Sequence, residues 1–267
     1  MAGAEEQLAY YLANKDEFRG EEGHKMLLQK LKTYFPVFGK KTLAIDVGAN
    51  KGGEWEGMRE ILREPGGRIL AFEPNPVNLP GLQEKAKQFP EVDVLPVAVS
   101  DKEGREPLFC WKERPRNSPG YSLAGLRAGG VKIGEVVVRT LDSVLRDYPP
   151  EEWTIKYVKI DTEGNDTLVI QGLAENLHRV YCILFEASDC LDDHRGPGHA
   201  DPLRKCVDQL DAAGFDVYRI GTRRLLRING EMWKPEYETV KFWSNCFAVR
   251  RDAKILGFIC DSRGFYV

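Results

Sequence analysis

Hydrophobic positions change period along the chain, and each change marks an element. Leu27, Leu28, Leu31, Tyr34 and Phe35 recur at helical spacing and Pro36 ends the run, so the first segment reads as helical and packed on the main domain. From Leu43 short apolar runs alternate with amphipathic stretches. Leu43 to Val47 is an apolar run stopped by Gly48. Trp55, Met58, Ile61 and Leu62 mark one helical face, which Pro65, Gly66 and Gly67 end. Arg68 to Phe72 reads as a second strand and Val92 to Val99 as a third. Between them a helix runs from Pro80 to about Gln88, with proline in its first turn. This βαβαβ rhythm predicts a parallel sheet with helices on both faces.

The rhythm breaks after Val99. Asp101 to Gly104 reads as a tight turn, and Glu106 to Trp111 and Glu135 to Leu141 as strands. Between them, Arg114 to Gly130 is rich in Gly, Pro, Ser and Arg. A loop of that length in a compact domain is expected to act as a lid. Asp142 is placed to cap a short helix. Strands resume at Ile155 to Asp161 and Val180 to Glu186, around a helical face of Leu168, Val169, Gly172 and Leu173. Asp201-Pro202 opens a helix whose core face is Leu203, Cys206, Val207 and Leu210. Phe215 to Ile220 and Asn245 to Arg250 read as the last strands, with a hairpin over Arg223 to Phe242 turning at Asn229-Gly230. The expected organisation is an N-terminal helical segment, 1–40, and one α/β domain, 41–267, with a loop and hairpin insertion at about 102–140.

Composition narrows the function classes. The 38 basic and 41 acidic residues leave a net charge of -3. That balance argues against a bulk nucleic-acid binder, which needs a basic face. The longest apolar runs are too short to span a bilayer, and the N-terminus lacks the basic and apolar regions of a signal peptide. Cys110, Cys182, Cys190, Cys206, Cys246 and Cys260 are scattered without a CxxC pair, which fits free thiols in a reducing compartment. The expectation is a cytoplasmic protein that binds no membrane. Nothing in the sequence fixes an oligomeric state.

Two strand ends carry candidate chemistry. The fragment Ile45-Asp46-Val47-Gly48-Ala49-Asn50-Lys51-Gly52-Gly53 closes the first strand and opens the first helix. Ligands of open α/β sheets bind beyond the carboxyl ends of strands. Gly48 permits a sharp turn and close approach. Asp46 sets a carboxylate at the strand tip, a natural partner for a methionine ammonium group. The second strand ends Phe72-Glu73-Pro74-Asn75-Pro76, and Glu73 has the station of an acid that accepts from both ribose hydroxyls. A nicotinamide cofactor would require G-x-G-x-x-G and a nest for its pyrophosphate, and Gly48, Gly52 and Gly53 do not reproduce it. S-adenosylmethionine has no phosphate and needs no such nest. The alternatives are a nicotinamide-dependent oxidoreductase and a non-catalytic nucleoside-binding protein.

In order along the chain, the motifs are IDVGAN at Ile45 to Asn50, FEPNP at Phe72 to Pro76 and AVSD at Ala98 to Asp101. TLD comes next at Thr140 to Asp142, then KIDTEGND at Lys159 to Asp166 and SNCFAVR at Ser244 to Arg250. Together they resemble the FkbM-type methyltransferases over roughly Lys41 to Arg251. The resemblance implies a seven-stranded class I methyltransferase (Rossmann-like) sheet and methyl transfer from S-adenosyl-L-methionine to a hydroxyl of a sugar or other small metabolite. It implies that Asp46, Gly48, Ala49 and Asn50 line the methionine side of the cofactor. Glu73, with Pro74 and Asn75, would hold the ribose, and Ser100 and Asp101 would lie near the adenine.

An alcohol acceptor needs a base for its proton. In the implied fold Asp161 ends the strand beside the first, so Asp161 and then Glu163 are the candidate bases, with Glu186 at the next strand tip. His194 and His199 lie in the loop after Glu186, and His194 is the preferred third catalytic candidate. His24 and His178 are expected in solvent. Arg223, Arg224 and Arg227 form a basic cluster that either meets an anionic group on the acceptor or stays solvated. No metal is expected from the spacing of the acids.

Overall fold

The computed structural model describes residues 3–111, 121–123, 130–187, 203–240, 243–253, 255 and 257. Its first strand, β1 (Lys41–Val47), is buried at every position but the first, as befits a central strand covered on both faces. It pairs in parallel with β2 (Arg68–Phe72) on one side and β8 (Trp153–Ile160) on the other. Beyond β2 lies β3 (Val92–Leu95), and beyond β8 lies β9 (Val180–Glu186), both parallel. The sheet continues through β12 (Asn245–Arg250) to β10 (Phe215–Ile220), with β12 antiparallel to both neighbours. These seven strands are the expected sheet. An eighth, β11 (Leu225–Arg227), is added antiparallel at the β10 edge.

The connections run outward from β1 in opposite directions, through β2 and through β8. The point where direction reverses is where an open α/β sheet leaves a crevice at its carboxyl edge. Helix α3 (Trp55–Leu62) returns from β1 to β2. It buries Trp55, Met58, Ile61 and Leu62, the face read from the sequence. Helix α4 (Leu79–Ala86) has Pro80 in its first turn, where a missing N–H costs nothing. Helices α5 (Leu141–Leu145), α6 (Asp166–Gln171) and α7 (Leu203–Ala212) bury Leu141, Val169, Leu203 and Val207 in a core with Ile45, Val158 and Ile183. Trp55, Met58 and Ile61 pack on the opposite side with Ala44, Tyr157 and Phe247.

The third strand differs from its expected span. It splits into β3 in the main sheet and β4 (Ala98–Val99) in a second sheet, because Pro96 interrupts the ladder. That second sheet has the order β4-β7-β5-β6, where β5 is Gly104–Trp111, β6 is Tyr121–Ser122 and β7 is Gly130–Arg139. Its strands β5 to β7 fall within residues 104–139. Most of the expected lid, 114–130, lies outside the described residues.

Two turns differ from the sequence expectation. Thr140, not Asp142, caps α5, accepting from the Ser143 amide at 3.1 Å. Asp142 instead accepts from the amides of Glu175 and Asn176, joining α5 to the turn after α6. The late hairpin turns at residues 221–224, not at Asn229-Gly230. Asn229 is fully buried: its side chain accepts from the Val217 amide at 3.0 Å and donates to Asp211 at 2.5 Å. Polar side-chain bonds to a strand backbone outcompete the hairpin turn there.

The N-terminal segment forms helices α1 (Ala4–Ala13) and α2 (Glu22–Tyr34). Tyr11 packs with Phe18 and Tyr237 on one face of the sheet, while Leu27 and Leu31 join the core with Trp55 on the other. The chain between them crosses the carboxyl edge of the sheet. Thr222 donates to the Glu17 carbonyl, and Gly20 donates to the Trp243 carbonyl. Among the described residues no helix is long and apolar enough to cross a membrane.

Candidate functional site

The tips of β1, β2 and β8 surround two adjoining clefts. The first has a volume of about 650 Å³ and is bounded by Glu73, Asn78, Val97, Leu108, Asp161 and Asn165, among others. The second, about 710 Å³, is bounded by His24, Asp46, Glu54, Lys159, Glu186 and Trp243, among others. Gly48, Asn50 and Asp161 border both, so the two hollows share one rim.

Gly48 shapes that border. Its φ is 80°, a left-handed conformation that an L side chain rarely adopts. A Cβ at this position would overlap the carbonyl oxygen of Asp161. The glycine thus serves the approach of β8 as much as that of a ligand. Asn50 also has positive φ, 47°, and its amide donates to Glu73 Oε2 at 2.7 Å.

Glu73 is buried at the tip of β2, and its other oxygen accepts from the Asn75 amide at 2.8 Å. Burial raises its pKa, against the lowering effect of those two backbone bonds. The Asn78 side chain also hydrogen-bonds the carboxylate, and the acceptor capacity that remains can serve a hydroxyl. Pro74 lines the first cleft, while Asn75 is wholly buried and accepts from the Val77 amide. Ala49 lines the second. Ser100 and Asp101 border neither cleft. The Ser100 hydroxyl donates to Asp101, and it is Val97, Ala98 and Val99 that face the first hollow.

Asp46 does not stand open at its strand tip. Its Oδ2 accepts from Trp55 Nε1 at 3.1 Å, and Lys159 Nζ lies 3.4 Å from its Oδ1. The same ammonium is 3.2 Å from Asp161 Oδ2 and donates to the Gly48 carbonyl. Burial opposes the charge on Lys159, but Asp161, Asp46 and Glu54 outweigh it and raise its pKa. The signal for Lys159 was present in the sequence: a lysine two residues before Asp161, inside an apolar strand, faces the same side as that acid.

Asp161 and Glu163 share the first cleft, and Asp161 and Glu186 share the second. Glu163 adopts a φ of 55°. Glu186 accepts from Trp243 Nε1 at 2.6 Å. Burial, with the charges of Asp161, Asp166 and Glu163, raises its pKa well above the usual range. Asp166 fixes the loop that carries these acids, accepting from the Thr162 hydroxyl at 2.6 Å and the Glu186 amide at 3.0 Å. His194 and His199 lie outside the described residues. Among the described residues no group of His, Cys, Asp and Glu is arranged to hold a metal ion.

His24 is not in solvent, in contrast to His178, which is exposed. Helix α2 buries it at the wall of the second cleft, 3.8 Å from Glu54 Oε2. Burial first, then the Lys159 charge, lowers its pKa from 6.5 to about 4, against the raising influence of Glu21 and Asp161. The contact with Glu54 is therefore that of a neutral imidazole beside a carboxyl group. Between those two pH values the unfolded chain binds a proton that the folded chain refuses, so His24 costs stability as pH falls from about 6.5 to about 4. Urea unfolding of the wild type and His24→Gln at pH 4.5 and 7 is expected to show the larger acid loss in the wild type. Equal losses would mean that His24 titrates normally.

Two of the three clustered arginines hold the N-terminal segment with their side chains. Arg223 pairs with Glu17 at 3.4 Å, Arg224 stacks over Tyr10, and Arg227 pairs with Asp216 at 3.1 Å. None of the three borders either cleft.

Comparison with solved structures returns remote likenesses. One is a methyltransferase FkbM from Methylobacillus flagellatus, 16% identical with a TM-score of 0.44, covering 82% of this chain and 47% of that one. This chain thus spans about half the length of that protein. An O-methyltransferase from Bacillus cereus in complex with SAH is 11% identical over 93% of this chain and 90% of that one, with a TM-score of 0.46. An rRNA methylase from Streptococcus thermophilus is 9% identical over 84% and 94%, with a TM-score of 0.40. No curated protein sequence matches the chain. The methyltransferase FkbM domain matches residues 46–210, more than half of the chain, and so the chain belongs to the FkbM methyltransferase family.

Proposed function

We propose that this protein is an S-adenosyl-L-methionine-dependent O-methyltransferase acting in the cytoplasm on a hydroxyl of a sugar or other small metabolite. The observation that carries this reading is the pair of clefts that meet at Gly48, Asn50 and Asp161. The first suits an adenosine, with Glu73 for the ribose and the apolar Phe72, Val97 and Leu108 beside it. The second suits the methionine end and the acceptor. When bound, S-adenosylmethionine would supply a methyl group on a sulfonium, the C–S electron pair leaving with sulfur as the acceptor oxygen bonds the methyl carbon. The residues align that oxygen, exclude water and take its proton. Positioning of this kind supplies about 7–11 kcal/mol of barrier lowering. We assign the proton to Asp161, which borders both clefts, with Glu163 and His194 as the other candidates. A nicotinamide cofactor is disfavoured because the β1 turn offers no pyrophosphate nest. The acid-lined second cleft disfavours a nucleic-acid acceptor.

The test uses a methyl-labelled donor with a panel of sugars, other small alcohols and RNA. A labelled methyl ether with an equal amount of S-adenosylhomocysteine is expected from a small alcohol. Transfer to RNA alone would overturn the acceptor class, and tight cofactor binding with no transfer to any acceptor would mark a nucleoside-binding protein. Glu73→Ala is expected to weaken binding of S-adenosylhomocysteine by about 1.5–3 kcal/mol, the worth of a charge-assisted hydrogen bond. Unchanged affinity by calorimetry would remove Glu73 from the site.

A further inference from the structure

Glu186 stands on the second cleft with half of its carboxyl group unused. It ends β9 opposite Asn245, which opens β12. The Ala187 amide donates to the Ser244 carbonyl at 3.0 Å, so the two strand ends bring Trp243 against Glu186. Trp243 Nε1 holds Oε1. Oε2 is buried and, among the described residues, has no hydrogen bond. Glu186 is 7% exposed, and both it and Trp243 border the cleft. A buried polar atom left unmet costs free energy, so Oε2 points to a ligand group that meets it. Trp243 is fixed in turn by the N-terminal segment. Gly20 has a φ of 79°, and a Cβ there would lie 3.4 Å from the indole ring. Gly20 and Trp243 both lie outside the matched region 46–210.

The sheet register places a second acid beside this one. Ile160 of β8 is level with Phe185 of β9 in a parallel pair, which sets Asp161 level with Glu186. Adjacent strands lie about 4.8 Å apart, so groups at the two tips reach neighbouring oxygens of one small molecule. We propose that Glu186, oriented by Trp243, binds a second hydroxyl next to the one that is methylated, and that the acceptor is therefore a vicinal diol. This assignment rests on the reading of the protein as an O-methyltransferase of small alcohols. Burial and the charges of Asp161, Asp166 and Glu163 favour the protonated form of Glu186. With Oε1 held by Trp243, the Oε2 hydroxyl is the donor that faces the acceptor. A carboxyl that already holds its proton does not take one from the reacting hydroxyl. The two acids thus divide the work: Asp161 takes the proton, and Glu186 fixes the neighbouring oxygen. Trp243 is a positioning residue.

The test measures kcat/KM with a methyl-labelled donor for cyclohexane-1,2-diol against cyclohexanol, and for methyl glucopyranoside against its single-deoxy derivatives. A site built to bond a hydroxyl rejects the analogue that lacks it. The wild type is expected to prefer the diol, and the parent sugar over one deoxy derivative, by about 10- to 100-fold. Glu186→Leu is expected to abolish the preference. Glu186→Gln is expected to keep most of it, because the amide accepts from Trp243 and donates to the acceptor as the protonated carboxyl does. Trp243→Phe is expected to lower the preference, the rise in KM exceeding the fall in kcat, and carries the comparison should Glu186→Leu not fold. Calorimetry is expected to show S-adenosylhomocysteine binding retained in each folded variant. A wild type without preference, or Glu186→Gln as impaired as Glu186→Leu, would overturn the proposal. So would loss of S-adenosylhomocysteine binding in step with transfer, which would give Glu186 to the cofactor. Wild-type protein that binds S-adenosylhomocysteine and methylates none of these alcohols would overturn the O-methyltransferase reading, and the diol site with it.

Discussion

Asp161→Asn is expected to leave the protein folded while lowering single-turnover methyl transfer by about 10²–10⁴-fold, the usual worth of a general base. The substitution keeps the shape of the side chain and removes its charge. Asp161 is 40% exposed and its ion pair with Lys159 is the more solvated of the two that this lysine makes, so the loss of stability is small. Its amide remains bonded to the Val47 carbonyl at 3.0 Å, which holds β8 against β1 whatever the side chain. Asp161 borders both clefts, where the donor's methyl and the incoming hydroxyl would meet. The measurement is single-turnover transfer at saturating donor, to the alcohol that the labelled-methyl panel identifies, alongside the binding constant for S-adenosylhomocysteine. Near-normal transfer at saturation would take the base role from Asp161 and give it to Glu163 or His194.

The strand tips were legible in the sequence because their signals are local. Asp46, Glu73, Asp161 and Glu186 each end an apolar run, and a parallel sheet brings such ends to one edge. The N-terminal contribution was not legible. The face with Leu27 and Leu31 announces a helix, yet only the crossing of the carboxyl edge, through Gly20 and Trp243, brings His24 to the β1 tip. That contact joins residues more than two hundred positions apart, and no periodicity carries it. The partners of the arginine cluster were hidden for a related reason: Glu17, which pairs with Arg223, and Tyr10, under Arg224, also come from the N-terminal segment. Asn229-Gly230 is a strong turn signal by propensity. The buried bonds of Asn229 to Val217 and Asp211 override it, because tertiary satisfaction of a buried amide outweighs a local preference.

Lys159→Ala is expected to destabilise the fold by about 3–5 kcal/mol, the cost of leaving a buried charge without its partner. Asp46 is 1% exposed, and among the described residues Lys159 is the cation that faces it. Trp55 Nε1 meets one oxygen, but a neutral donor does not offset a whole charge. The ammonium carries its charge throughout the neutral range. Its pKa is raised in the folded protein, so its stabilisation is complete below the unfolded lysine value of about 10.4 and fades only as pH rises through the folded value. A control is the surface pair Lys41 and Glu152, 3.3 Å apart with both side chains half-exposed, where truncating the lysine is expected to cost less than about 1 kcal/mol. Cavity formation at position 159 would also destabilise, and a double variant separates the two causes. Asp46→Asn on the Lys159→Ala background removes the orphaned charge and is expected to recover part of the stability, a non-additive result in urea unfolding at pH 7. Strictly additive losses would show that Lys159 acts by packing its stem, and that the carboxylate of Asp46 is balanced elsewhere.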